Sequence, residues 1–141
     1  MNYVNVIGST KMKRDLVESA VVFCISELMP RMRTLEIEVN IKNLKSDGVA
    51  GWCYEGDGNR DFYIDVDKSL TGAELLCTVC HEMVHVWQSA TRKMKDMTFG
   101  RKMYMGKVYD ETTAYEDEPW EIEAYVMQGD LLKKFGEEYV V

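Results

Sequence analysis

The sequence predicts an α+β fold in which helices pack against one antiparallel or mixed sheet. Apolar residues recur at helical spacing near the N-terminus and again in the second half of the chain. Between these segments apolar and polar residues alternate, which is typical of strands buried on one face. The 141 residues fit a single domain, 1–141, because a chain of this length closes one core rather than two.

The first predicted helix covers residues 10–29. Ser9 or Thr10 can cap its start, and Pro30 ends it. Its apolar residues recur three or four positions apart: Val17, Ala20, Val21, Cys24 and Leu28. This spacing places them on one face, so the helix is predicted to be amphipathic.

A small three-stranded sheet is predicted after this helix. Residues 35–42 alternate between apolar and polar side chains, which indicates one half-buried strand. Residues 48–54 and 60–66 flank the glycine-rich turn 55–59, so they are predicted to pair as a hairpin on the same sheet.

Two further helices are predicted, with a long loop between them. Residues 71–74, Thr-Gly-Ala-Glu, have the sequence of a capping box, so a helix begins there and continues to about Ala90. Residues 91–117 lack a clear period and are predicted to be a long functional loop. The last helix begins near Pro119 and ends at about Phe135, which gives the order αβββαα.

The second predicted helix carries the sequence His81-Glu82-Met83-Val84-His85. Residues four apart lie one turn apart on the same face, so two imidazoles can bind one ion. Glu82 points in a neighbouring direction, from which its carboxylate can reach a water beside the ion. The motif therefore predicts a metal site with His81 and His85 as ligands and Glu82 as a general base.

The third ligand must be a carboxylate or a cysteine, because the motif contains the only histidines of the chain and a catalytic zinc normally has three protein ligands. Glu121 and Glu123 are the candidates, and they point in nearly opposite directions on a helix. The stripe with Glu121 is apolar, whereas the stripe with Glu123 is predicted to face solvent, so Glu121 is the predicted ligand. Cys77 is predicted to pack in the core, because three ligands on successive turns are too far apart for one tetrahedral ion.

Around these residues the chain resembles the zincin metallopeptidases. The motif, followed later by Glu121-Ile122-Glu123-Ala124, looks like their gluzincin branch, and compact ImmA/IrrE-like and SprT-like peptidases are similar in layout. The SprT-like pattern usually supplies a third histidine, which this chain lacks. The resemblance implies a zincin-like fold with a motif helix and a C-terminal ligand helix. It also implies peptidase activity and one Zn²⁺ ion per chain.

The expected activity is hydrolysis of a peptide or protein substrate by a zinc-activated water, with Glu82 as the base. Tyr109, Tyr115, Tyr125 or a loop arginine is expected to stabilise the oxyanion. An edge strand, for which 60–66 is the candidate, is expected to bind substrate as an added strand. The alternative function is a catalytically inert zinc-binding interaction or regulatory module, for which proteins associated with nucleic acid are candidate partners. Such a module would have no use for a positioned base.

Charge and cysteine content limit the partners and the location. The net charge of −7 opposes broad nucleic-acid binding, but residues 91–107 hold six basic side chains and one acidic side chain. This basic segment is predicted either to favour an acidic or phosphate-bearing partner, nucleic acid included, or to dock on the acidic residues 110–117. No apolar run suits a membrane span or a signal peptide, and the four cysteines show no disulfide pattern, so a cytoplasmic location is expected.

Overall fold

The computed structural model of the protein describes the backbone of residues 1–139 and the side chains of residues 1–138. Over this range the chain forms three α-helices and two small β-sheets, so the α+β prediction is confirmed. The helices are α1 (Lys11–Leu28), α2 (Gly72–Ala90) and α3 (Pro119–Tyr139), and each begins within about a residue of its predicted start. No helix among these residues combines the length and the apolar character that a membrane span requires.

The helix starts differ in how their first N–H groups are satisfied. The Thr10 hydroxyl accepts a hydrogen bond from the backbone N–H of Lys13 at 3.2 Å, so the predicted cap of α1 forms. The capping box predicted for α2 does not form, because the Thr71 side chain makes no hydrogen bond to the helix start. The chain enters α2 through Gly72 at a φ of 52°, whereas a capping box requires a helical first residue.

The larger sheet contains four strands, one more than predicted. They are β1 (Tyr3–Ile7), β2 (Glu36–Lys42), β3 (Gly51–Glu55) and β4 (Asp61–Asp67), in the spatial order β1-β2-β4-β3. β1 and β4 are parallel to β2, and β3 is antiparallel to β4, so the sheet is mixed and the predicted hairpin is confirmed. β1 was missed because it is a five-residue edge strand with no fully buried side chain.

The prediction that residues 60–66 form an edge strand is wrong. β4 lies between β2 and β3, and both of its edges are hydrogen-bonded. Its central position also explains why Asp65 and Asp67 are buried although they lie on the face opposite the core. The edges of the sheet are β1 and β3.

One hydrophobic core joins the three helices to one face of this sheet. The alternating apolar residues of β2 and β4 point into it, as their period of two predicted. Four of the five predicted apolar positions of α1 are fully buried: Val17, Ala20, Val21 and Cys24. On the other face Trp52 and Tyr54 are about half exposed. On the core face α2 packs against both α3 and β3.

Residues 91–117, which are predicted to be a long functional loop, have local structure of their own. They contain a three-stranded antiparallel sheet of β5 (Met94–Asp96), β6 (Lys102–Tyr104) and β7 (Lys107–Tyr109). Each strand has only three residues, which is too short for a period of two to be recognised. Met105 and Gly106 connect β6 to β7 with φ values of 50° and 84°, the pattern of a two-residue hairpin turn. The sequence does not predict this turn, because methionine stands where asparagine or aspartate usually precedes the glycine.

Candidate metal centre

Three side chains that can bind a metal meet where α2 packs against the start of α3. His81 and His85 lie one turn apart on α2, and Glu121 lies in the first turn of α3. The Nε2 atoms of His81 and His85 are 2.9 Å and 3.1 Å from the same atom, Oε1 of Glu121. The potential ligand atoms all lie within 4.8 Å of one another. The structure therefore brings the three predicted ligands close enough to hold one metal ion. We call His81, His85 and Glu121 the metal-binding group.

The tautomer of His85 follows from the hydrogen bonds of Gln88. The Nε2 group of Gln88 donates to the Trp120 carbonyl oxygen at 2.9 Å and to Glu123 Oε1 at 3.0 Å. Both partners are acceptors, so the amide is fixed with its oxygen toward His85. His85 Nδ1 lies 2.8 Å from that oxygen and donates to it. Neutral His85 therefore carries its lone pair on Nε2, which faces the other ligands.

His81 is held in a similar way from α3. Its Nδ1 lies 2.7 Å from Gln128 Oε1, and the ring of Tyr125 packs on the imidazole with 4.6 Å between ring centroids. An imidazole that donates its Nδ1–H to an amide oxygen presents an unprotonated Nε2 to a metal. Both histidines thus have the tautomer that metal binding requires.

The chemistry of these donors fits a cation at their centre. Two nitrogen lone pairs and a carboxylate oxygen converge, and they repel one another unless a proton or a cation lies between them. Burial favours the protonated form of Glu121, but its hydrogen bonds to His81 and His85 outweigh burial and hold the pKa of Glu121 well below its usual range. Desolvation lowers the pKa of His85, yet the contact with Glu121 outweighs it and raises that pKa. A positive charge between the three side chains, from a proton or a metal ion, is therefore favoured.

Glu82 lies beside this group but does not belong to it. The residue is 6% exposed, and burial raises the pKa of its carboxyl although His85 and His81 oppose the shift. Gly51 of β3 faces it so closely that a Cβ on Gly51 would lie 3.2 Å from Oε2 of Glu82. A buried carboxylate with a raised pKa next to a metal-binding group is a candidate for proton transfer.

These residues line a cavity of about 640 Å³. β3, α2, β5, β6, Tyr115 and the first turns of α3 contribute to its lining. The volume is within the usual range for ligand sites. Cys77 also lines the cavity and is only partly buried, so the prediction that it packs in the core is wrong. Its thiol is not among the three grouped ligands.

The prediction that Glu123 faces solvent is wrong as well. Its side chain is 19% exposed and accepts hydrogen bonds from Gln88 and Lys93. Burial raises the pKa of Glu123, but these bonds outweigh it and lower that pKa. The start of α3 lies against the end of α2, which covers Glu123, whereas Asp130 in the same stripe is exposed. Sequence reasoning missed Gln88. Its position three residues after His85 on the same helix could have predicted that its amide contacts the imidazole.

Two of the predicted oxyanion-stabilising residues lie at the site. The Tyr115 hydroxyl donates to Glu121 Oε1 at 3.1 Å and lies 3.1 Å from the Tyr125 hydroxyl. Both rings line the cavity. Tyr109 instead packs its ring on Trp120, with 5.7 Å between ring centroids. The aromatic donors nearest the metal-binding group are therefore Tyr115 and Tyr125.

The basic segment 91–107 is folded largely into the small sheet. Lys93 pairs with Glu123, and Lys102 lies 3.4 Å from Asp96. Arg101 donates to the backbone and side-chain oxygens of Thr98. Of the six basic side chains in this segment, only Lys102 lines the cavity.

The three predicted ligands come from α2 and α3. Comparisons with family models, curated proteins and solved structures found no match to this chain. Membership of a peptidase family therefore stays a prediction from the motif.

Proposed function

We propose that this protein is a zinc-dependent peptidase of the zincin type, in which His81, His85 and Glu121 hold the metal and Glu82 is the general base. A single observation carries the proposal: a buried carboxylate lies next to the metal-binding group without belonging to it. Burying such a group costs free energy. A zinc site that only stabilised the fold would have no use for it, whereas a hydrolase needs a base in that position.

The three ligands suit a catalytic zinc ion. Two imidazole nitrogens and one carboxylate oxygen are ligands that zinc accepts, and three protein ligands leave a fourth position open. When bound, zinc would polarise the scissile carbonyl and lower the pKa of a water toward about 7. Gln88 and Gln128 would keep the Nε2 lone pairs directed at the ion.

Glu82 would accept a proton from the attacking water at its carboxylate and transfer it to the nitrogen of the leaving amine. Its buried position beside the proposed metal ligands favours this role, because a positioned carboxylate can pass the proton from one reacting atom to the other. Burial and the hydrogen bond to Tyr125 raise the pKa of Tyr115, so its hydroxyl stays protonated. Tyr115 and Tyr125 are therefore the proposed donors to the developing oxyanion.

The substrate would bind along β3 rather than along residues 60–66. β3 is the edge strand whose residues line the cavity. Its outer edge offers N–H and C=O groups to which an extended peptide can pair as an added strand. Because Gly51 of β3 lies against Glu82, a peptide on this edge would pass close to the proposed base.

Zinc analysis combined with cleavage of an unbiased peptide library tests the proposal. Purified protein is expected to hold about one zinc ion per chain and to cut library peptides, as read by mass spectrometry. Chelation should abolish cleavage, and added zinc should restore it. Bound zinc without any cleavage would favour the inert zinc-binding module instead. A protein that takes up no zinc would contradict both functions.

The variant Gly51→Ala is expected to impair turnover more than folding. The new Cβ would lie 2.9 Å from Thr78 Cγ2, 3.0 Å from the backbone oxygen of Asp65 and 3.2 Å from Glu82 Oε2, so it crowds the base from the side of β3. Displacing a reacting group by about 1 Å can cost about 100-fold in rate, so a shift of Glu82 by a few tenths of an ångström is expected to lower kcat severalfold. The checks are kcat and thermal melting, with Gly58→Ala as the control because a Cβ there would meet nothing within 4 Å. Equal activity of the two variants would contradict the placement of Glu82.

A further inference from the structure

A second, smaller cavity of about 390 Å³ adjoins the metal-binding group at α3. We call it the apolar groove, and its lining is Tyr115, Glu116, Glu121, Ile122, Tyr125 and Val126. Three of these residues, Tyr115, Glu121 and Tyr125, also line the larger cavity. The apolar groove therefore adjoins the site of the proposed chemistry and shares these three residues with it.

The apolar side chains of this groove are not part of a core. Ile122 is 49% exposed and Val126 is 73% exposed, and they lie one turn apart on α3. The buried residues of the same helix, among them Ala124 and Leu131, point into the core instead. The outward face of a helix is normally polar, so an exposed pair of large aliphatic residues indicates a binding surface.

Only a layer of aromatic rings separates the groove from the histidines. The Tyr125 ring lies 4.6 Å from the His81 ring, and the Tyr115 ring meets Tyr125 edge-on with 6.5 Å between centroids. The Tyr115 hydroxyl bonds to Glu121, so this layer is joined to the metal-binding group. A peptide at the metal-binding group can therefore place a neighbouring side chain in the groove.

We propose that the apolar groove binds a large aliphatic or aromatic side chain of the substrate, close to the scissile bond. The cleavage part of this inference rests on the proposed peptidase function. The groove does not suit a second copy of the chain, because its six lining residues are far fewer than the roughly 20–30 residues per side of a stable interface. Glu116 adds a negative charge to the lining and disfavours an acidic side chain there.

The test measures peptide binding separately from cleavage. Two fluorescent peptide libraries, identical except for one fixed residue that is either leucine or serine, are titrated against Glu82→Gln protein, which should leave them intact. The leucine library is expected to bind about tenfold more tightly, which corresponds to about 1.4 kcal/mol. Adding Ile122→Gln or Val126→Gln should bring the two libraries close to equal affinity. Adding Val22→Gln should not, because Val22 is a half-exposed valine of α1 outside both cavities.

The outcomes separate this inference from the proposed function. Equal binding of the two libraries, or a leucine preference that survives both groove substitutions, would overturn the apolar groove as a binding site. The same libraries are then incubated with protein that retains Glu82. Cleavage next to large apolar residues, reduced in Val126→Gln, supports both proposals. A leucine preference in binding without any cleavage would overturn the peptidase and leave a peptide-binding groove.

Discussion

Glu82→Gln is expected to lower kcat for peptide hydrolysis by about 10²- to 10⁴-fold, the usual contribution of general acid–base catalysis. The amide fills the space of the buried carboxyl but cannot accept the proton of the water. Zinc content should not change, because Glu82 is not among the grouped ligands. Stability should not fall, since the substitution removes a buried charge. The measurements are kcat, zinc per chain and thermal melting.

Glu74→Gln is the matched control for this experiment. Glu74 lies on the same helix, α2, but its side chain is exposed in the first turn. It should retain wild-type turnover and zinc content. Wild-type kcat in Glu82→Gln would show that another group is the base. Loss of zinc in that variant would show that Glu82 supports the metal and would remove the argument for proton transfer.

The metal-binding group was largely predictable because it depends on the spacing of residues that are close together in the sequence. The spacing of His81 and His85 fixes their relative position on any helix, and the apolar stripe that contains Glu121 selected it over Glu123. The structure brings the potential ligand atoms of all three predicted residues within 4.8 Å of one another. The hairpin was predictable for a similar reason, since one glycine-rich turn joins two strands that are adjacent in the sequence.

Features that depend on distant residues were not predictable. β1 becomes a strand only by pairing with β2, which is about 30 residues further along the chain. The short strands of the small sheet carry no period of their own. The burial of Glu123 depends on where α3 crosses α2. The spacing of residues along α3 shows which side chains share a face, but it does not show which part of that face another helix covers. For the same reason, the sequence could not show that Gln88 connects His85 to α3.

Glu121→Ala is expected to weaken zinc binding by more than about 100-fold, because it removes one of three ligands, and loss of a supporting residue alone typically costs 10- to 100-fold. Zinc affinity is measured by competition with a chelator of known affinity. Thermal melting with the chelator present shows whether the metal-free variant is folded. Glu137→Ala, on the exposed end of the same helix, is the control and should bind zinc as the wild type does.

The variant Glu123→Ala tests whether Glu123 binds the metal itself or only positions Gln88 beside His85. Glu123 accepts hydrogen bonds from Gln88 and Lys93, and Gln88 accepts the Nδ1–H of His85. Removing Glu123 frees one of the two anchors of the Gln88 amide, while the Trp120 carbonyl keeps the other, so zinc affinity should fall by up to about 10-fold, less than for Glu121→Ala. Without this hydrogen-bond network, Glu123→Ala would be expected to leave zinc affinity unchanged. A larger loss in Glu123→Ala than in Glu121→Ala would show that Glu123 is the third ligand and that α3 turns its other carboxylate to the metal.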